Sequence, residues 1–430
     1  MDLRSLVKSS GVRNFTKLLS ANVVAQVIGL VVYPILTRMY APEDFGLLNL
    51  FLSIGGVLIV LSTAEYYYAI VLPKSNKDAV SVMLLGGICL LIVGGILGVS
   101  VLFSEPLSRL FASPKLADYY WLLPIYVTLM GAWNLLNYWY VRIGNYRGIS
   151  SYQITQSVLT ATGKIGFGSV GVYNAGMIYA VVMGPLLSIV SSIFVQRASA
   201  NQIVQYWKEF KISWQDIREQ AKKYRNFPVF VMPRSFVNML AGQLQVLLLI
   251  PFFGTQLVGF YSLALLLGYT PIGTVTRAVY QVLYQHTTEC VHRGERIGPI
   301  FKWFILGASA IIIPVFVGIS FVLPDLTSWL FGAEWYVSGE YVRWMLPWLY
   351  VSFLSCSINY LFDVFMKQKV GLMMEILLAL FRTIGLLIGV WLNDFVVAIA
   401  SYSIGTALAL MVQIVWMLRL VRKYDQTITV

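Results

Sequence analysis

The sequence predicts an all-α integral membrane protein of about twelve transmembrane helices, and three observations predict it. Residues of types A, V, I, L, M, F, W, Y and C make up 58% of the 430-residue chain, and charged residues only 12%. Soluble proteins are about 45–50% apolar even with glycine counted, and about 25% charged. Mean hydropathy is +0.74. Apolar runs recur along the chain, each about 20 residues long and so able to cross about 30 Å of hydrocarbon. A soluble fold could not bury that much apolar surface beneath a polar exterior.

Taken in order, the runs predict spans at 14–36, 46–71, 80–103, 119–141, 149–171 and 175–196. Past a polar stretch come 227–251, 256–284, 298–323, 341–362, 370–392 and 395–418. The first run is too long for a cleaved signal and reads as a span. Charge then tests the count. With the N terminus inside, 23 of the 31 Lys and Arg fall on the cytoplasmic side, Arg4, Lys8, Arg13 and Lys17 among them. Arg38, Arg109, Lys115 and Arg343 fall on the other. Cytoplasmic loops carry such an excess. Both termini are therefore expected in the cytoplasm, and the net charge of +12 calls for no nucleic-acid partner.

The polar stretch divides the chain into an N-lobe (1–196, spans 1–6), a cytoplasmic linker (197–226) and a C-lobe (227–430, spans 7–12 and a short tail). In the linker Ile203, Trp207, Phe210, Trp214, Ile217, Ala221 and Tyr224 recur at helical steps. Lys208, Lys211, Arg218 and Lys222 lie off that face, which predicts an amphipathic helix on the anionic inner leaflet. Ser213 and Asp216 have the spacing of a capping box. Arg13-Asn14-Phe15 and Arg225-Asn226-Phe227 open the two halves, and Ala41–Leu50 aligns with Gly254–Leu263. Six spans per half then predict a parallel repeat.

Cys89, Cys290 and Cys356 are scattered, and His286 and His292 sit in a polar connector. They give no disulfide framework and no metal spacing, so neither catalytic nor metal residues are expected. No phosphate-binding loop is present, and no nucleotide or other cofactor is expected.

Four cations fall within spans: Lys164, Arg234, Arg277 and Arg382. Each would cost about 2.5–3.5 kcal/mol facing lipid near a helix centre. They must line a wet cavity, pair with acids, or snorkel to the interface. The acids are Glu65 in span 2, Glu375 in span 11 and Asp363 at the inner end of span 10. Fewer deep acids than cations leave a net-positive interior, which reads as an anion-binding surface or as structural pairing. The acids could carry H+ or Na+, or pair with those cations. Span 5 carries Gln153, Thr155, Gln156, Ser157, Thr160 and Thr162 ahead of Lys164, and so polar a helix cannot face lipid all round. Gln153, Gln156, Asn238 and Gln243 could meet sugar hydroxyls or bond helix to helix. Trp329, Trp335, Tyr336 and Tyr341 read as an outer aromatic belt. Arg38, beside span 2 at the outer face, reads as a helix cap, a headgroup contact or an aid to phosphate release.

The segments NFTKLLSANVVAQVIGLVVYPILTRMYAPEDFGLLNLFLSI and KKYRNFPVFVMPRSFVNMLAGQLQVLLLIPFFGTQLVGFYSLA resemble the two lobe openings of the bacterial polysaccharide or O-antigen flippases. That family belongs to the multidrug/oligosaccharidyl-lipid/polysaccharide exporter superfamily. Gln245 departs from it where a proline is expected. The resemblance implies two six-helix lobes around a central cavity that opens alternately to each side. It implies an undecaprenyl-pyrophosphate-linked oligosaccharide as substrate, moved from the cytoplasmic to the periplasmic leaflet of the bacterial inner membrane for surface polysaccharide biosynthesis. Polysaccharide polymerase and chain-length machinery are the partners it implies besides the bilayer. Lys164, Arg234, Arg277 and Arg382 would then attract the pyrophosphate, while polar walls accept the glycan. Two alternatives stand beside this reading. A cation-coupled multidrug exporter would favour an acidic interior. A polytopic polymerase or glycosyltransferase would need larger outer loops than 104–118 and 324–340.

Overall fold

The computed structural model describes residues 26–195, 205–206 and 209–428, and among these the regular secondary structure is helical. Helix α1 (Gln26–Leu36) is the described part of the first predicted span. Residues 14–25, the basic N terminus, and Arg197, Ile203, Trp207 and Lys208 of the linker lie outside the described residues. There follow α2 (Pro42–Ser62), α3 (Asn76–Ser100), α4 (Leu122–Arg142), α5 (Tyr146–Ser169) and α6 (Tyr173–Val195), then the linker helix α7 (Trp214–Lys223). The helical stretch Met232–His292 is broken at Gly254, where φ is 79° and ψ 172°. It therefore forms two helices, α8 (232–253) and α9 (255–292). The chain continues through α10 (Gly298–Phe331), α11 (Tyr336–Ile358), α12 (Gln368–Leu392) and α13 (Phe395–Ile428). Eight of the described helices are long and apolar enough to cross a membrane, with 227–292 counted as one. The aromatic and amide residues of α4 and the polar residues of α5 lower their hydropathy below that mark.

Helix starts follow local chemistry, because the first four N–H groups of a helix have no partner within it. The Asp44 carboxylate accepts from the Ala41 N–H at 3.0 Å where α2 begins, with Pro42 in the first turn. Ser75 Oγ accepts from the Asp78 N–H at 3.1 Å, and Asn145 Oδ1 from the Gly148 N–H at 3.1 Å. At α7 the predicted capping box is present. Asp216 Oδ2 accepts from the Ser213 N–H at 2.8 Å, and Ser213 Oγ from the Asp216 N–H at 3.3 Å. Asp425 of α13 caps α10 by accepting from the N–H groups of Ile297 and Gly298, both at 2.9 Å.

The chain divides into two compact units, one through Thr255 and one from Gln256. In the first, α5 and α6 pack closely, as small residues allow helices in lipid to do: a Cβ on Gly163 would lie 3.1 Å from that of Ala180. Helix α8 belongs to this unit, where Ser53 Oγ donates to Gln243 Oε1 at 2.9 Å. The linker helix docks on α3 through Lys77 and Asp216, 2.6 Å apart, with Ile217 and Gln220 buried. The Lys77 ammonium, aided by the Ser213 backbone and hydroxyl, holds the Asp216 carboxyl down at about 2. In the second unit α12 and α13 bring their backbones together at Gly385. A Cβ there would sit 2.7 Å from the Ser401 carbonyl oxygen, and Ser401 Oγ donates to the Gly385 carbonyl at 2.6 Å.

The structure corrects two expectations. Glu65 does not lie within the second helix: α2 ends at Ser62, and Ala64 and Glu65 turn the chain with φ of 48° and 61°. A 3-10 turn, Tyr66–Val71, follows. The apolar run continues through that turn, so hydropathy extends past the end of the helix. Trp335 and Tyr341 are 0% and 3% exposed and pack on Phe260 and Phe395, with ring centroids 5.5 and 5.2 Å apart. They are core residues. Trp329 and Tyr336 are exposed, as a belt requires.

Candidate functional site

Helix α5 carries most of its polar residues between Gln153 and Lys164 on one stripe, Thr155 and Thr162 lying off it. Gln153, Gln156, Ser157, Thr160, Ala161 and Lys164 follow steps of three, one, three, one and three, which keeps them on a single helical face. With Gly29, Val32, Tyr33 and Leu36 of α1 they line a cavity of about 370 Å³. The adjoining side of the helix, with Leu159, Thr162, Gly163 and Phe167, borders α6. Thr160 and Gly163 meet Gly184 and Ala180 there, which fixes the rotation of α5 and turns Lys164 toward α1.

Among the described residues no acid lines this cavity, and Lys164 is the one charged side chain that lines it. Gln153 Oε1 is buried with no hydrogen-bond partner among the described residues, a polar atom that costs about 1–3 kcal/mol unless something bonds it. Tyr40 Oη donates to the Lys164 carbonyl at 2.6 Å and ties the segment after α1 to the cationic turn of α5. The cavity thus offers an ammonium at one end, amides and hydroxyls along its length, and the Tyr33 ring on the facing wall. That set can hold an anion and a polyhydroxylated chain joined to it.

The other predicted residues distribute as follows. In the first unit Arg234 and Asn238 are exposed, one helical turn apart on α8. The field of Arg234 reaches the buried Glu65. Gln243 is engaged by Ser53, a helix–helix bond that leaves less of it for a glycan. In the second unit Arg277 is exposed and its Nε donates to the Gly273 carbonyl at 3.3 Å. Arg382 is half-buried, and its Nε is buried without an acceptor. Glu375 and Arg382 both lie within electrostatic reach of Cys356, with Glu375 exposed. Asp363 is exposed in the short helix Leu361–Val364. The structure therefore brings Lys164, Gln153 and Gln156 into one cavity, and it brings Glu65 into the field of Arg234. Sequence reasoning missed Gly29 and Tyr33, which the α1 pattern does not mark, although the α5 spacing alone marks the stripe.

The architecture is that of a polytopic, all-helical membrane protein among the described residues. A multidrug resistance MATE family transporter of the MOP superfamily, in an inward-facing conformation, is similar with a TM-score of 0.69 at 17% identity, over 95% of each chain. The lipid II flippase MurJ, in an inward closed conformation, is similar with a TM-score of 0.70 at 11% identity, over 97% of this chain and 91% of that one. The model of a family described as polysaccharide biosynthesis proteins matches residues 35–340, and the chain belongs to that family. A succinoglycan biosynthesis transport protein of Rhizobium meliloti (strain 1021) is 21% identical over 311 residues, 71% of this chain. The matched region spans 59% of that relative's length.

Proposed function

We propose that the protein is a flippase that moves a lipid-linked oligosaccharide, carried on undecaprenyl pyrophosphate, from the cytoplasmic to the periplasmic leaflet of the bacterial inner membrane. One observation carries the reading: the Lys164 side chain stands at the end of a row of amides and hydroxyls on α5, in a cavity that no acid lines among the described residues. A pyrophosphate is the anion that a lipid carrier would bring to that depth, and a guanidinium or ammonium in low dielectric is its natural partner. The amides and hydroxyls of α5 would receive the sugars nearest the phosphate, while the prenyl chain stays in lipid. Arg234, Arg277 and Arg382 would add to the positive field, and Glu65, Asp363 and Glu375 would pair with cations or carry the coupling H+ or Na+. Membership of a polysaccharide biosynthesis family, and the likeness to a succinoglycan transport protein, support the substrate class.

Deletion of the gene in a polysaccharide-producing host tests the reading. Loss of surface glycan with accumulation of lipid-linked repeats in the inner leaflet is expected. Normal glycan display would overturn it. A cationic-drug exporter is disfavoured by the acid-free cavity, and raised drug resistance on overexpression would reverse that ranking.

A further inference from the structure

A second cavity lies directly beyond the first in the same unit. It measures about 600 Å³ and is lined by Arg38, Met39, Ala41 and Asp44 on one side and by Gly168, Ser169 and Tyr173 on the other. The two cavities draw on the same two pieces of chain. Leu36 and Lys164 line the first, and two to five residues further along each piece Arg38 and Ser169 line the second. From Lys164 to Ser169 the helix rises only about 7.5 Å. Tyr40 stands between them, its hydroxyl on the Lys164 carbonyl and its ring 3.1 Å from where a Gly168 Cβ would be.

Arg38 is exposed and makes no ion pair or side-chain hydrogen bond among the described residues, so it is not a helix cap. Asp44, the acid of this cavity, is 8% exposed, and its carboxylate is held by the Ala41 N–H. Asp44 puts an acid in the lining that Arg38 shares, whereas among the described residues no acid lines the cavity of Lys164. An anion is therefore held more weakly at Arg38 than at Lys164, in a wider and more open space. A guanidinium can engage two phosphate oxygens at once through its planar fork. Binding at an inner cation, followed by binding at an outer one that shares a wider cavity with an acid, is the order that release requires.

We propose that Arg38 and its cavity form a second phosphate station, which takes the pyrophosphate headgroup from Lys164 and passes it to the membrane face that the charge count assigns to the periplasm. The proposal rests on the flippase reading for its direction, but the station itself is testable without transport. The full chain, with Cys89, Cys290 and Cys356 replaced by alanine and Ser169→Cys added, is placed in phosphatidylcholine nanodiscs that expose both faces. Its labelling by a maleimide is followed with and without inorganic pyrophosphate. Pyrophosphate is expected to slow labelling saturably. Arg38→Gln should abolish that protection while labelling without pyrophosphate keeps its rate, and Arg38→Lys should retain part of it. Protection should persist in Lys164→Gln, so a failure of the Lys164 reading does not register here. Unaltered labelling with pyrophosphate, or full protection in Arg38→Gln, would overturn the proposal. Protection by added phosphatidylglycerol with no further effect of pyrophosphate would overturn it too, and would make Arg38 a lipid headgroup contact.

Discussion

Tyr40 donates a hydrogen bond to the backbone carbonyl of Lys164 at 2.6 Å, across 124 residues of sequence. The bond joins the segment after the first helix to the turn of α5 that carries Lys164. Tyr40 is 2% exposed. Through this contact the position of the ammonium depends on α1 as well as on α5, and the α1 wall and the polar stripe keep their register.

Tyr40→Phe removes the donor and leaves the ring. It is expected to cost about 1 kcal/mol of stability, the net worth of one intramolecular hydrogen bond. Thermal unfolding of the purified protein in detergent checks this, and a midpoint equal to wild type would show that the bond positions nothing.

Gly254 separates α8 from α9 with a backbone conformation that only glycine adopts without strain (φ 79°, ψ 172°). Gly254→Ala is expected to destabilise the protein by about 1–3 kcal/mol. No heavy atom would stand within 4 Å of the new Cβ, so the loss would be conformational and not steric. Gly254→Ser should then cost about as much as Gly254→Ala, and equal stability of wild type and both variants would contradict the assignment.

Gly385 presents the opposite case, where space and not φ demands glycine. Gly385→Leu would drive a side chain into the Ser401 backbone and part α12 from α13. The expected cost is about 1–3 kcal/mol or more, as in other overpacked cores. Folded protein recovered from membranes, measured by fluorescence-detected gel filtration, should fall sharply for Leu and less for Ala.

Much of this was legible in the sequence. Hydropathy located the helices, and the spacing of Ser213 and Asp216 located the start of α7. The stripe on α5 was legible as a spacing. What could not be read was whatever depends on a distant neighbour. Tyr66–Val71 is as apolar as a helix interior, and nothing in its composition says that Ala64 and Glu65 have already turned the chain. Trp335 and Tyr341 carry interfacial residue types, yet Phe260 and Phe395 cover them. Gln243 looked available until Ser53 was found opposite it.

The docking of the linker helix responds to pH with a definite sign. The folded pKa of Asp216, about 2, is below its ordinary value of 3.8. The Lys77–Asp216 contribution is therefore full above about pH 4 and is lost as pH falls through about 2. Spin labels at Lys74 and Glu219, both exposed, should keep a constant separation from pH 8 to pH 5. They should move apart as pH falls below about 4, and Asp216→Asn should separate them already at pH 7. A distance unchanged at pH 2 would contradict the bridge.

The central claim is that Lys164 receives the anionic headgroup of the cargo. Its most direct test is surface glycan in a deletion strain complemented with Lys164→Gln, Lys164→Arg or wild type at matched protein levels. Loss of display with accumulated lipid-linked repeats is predicted for Gln, with partial display for Arg, which keeps the charge. Full display with Lys164→Gln would contradict the account.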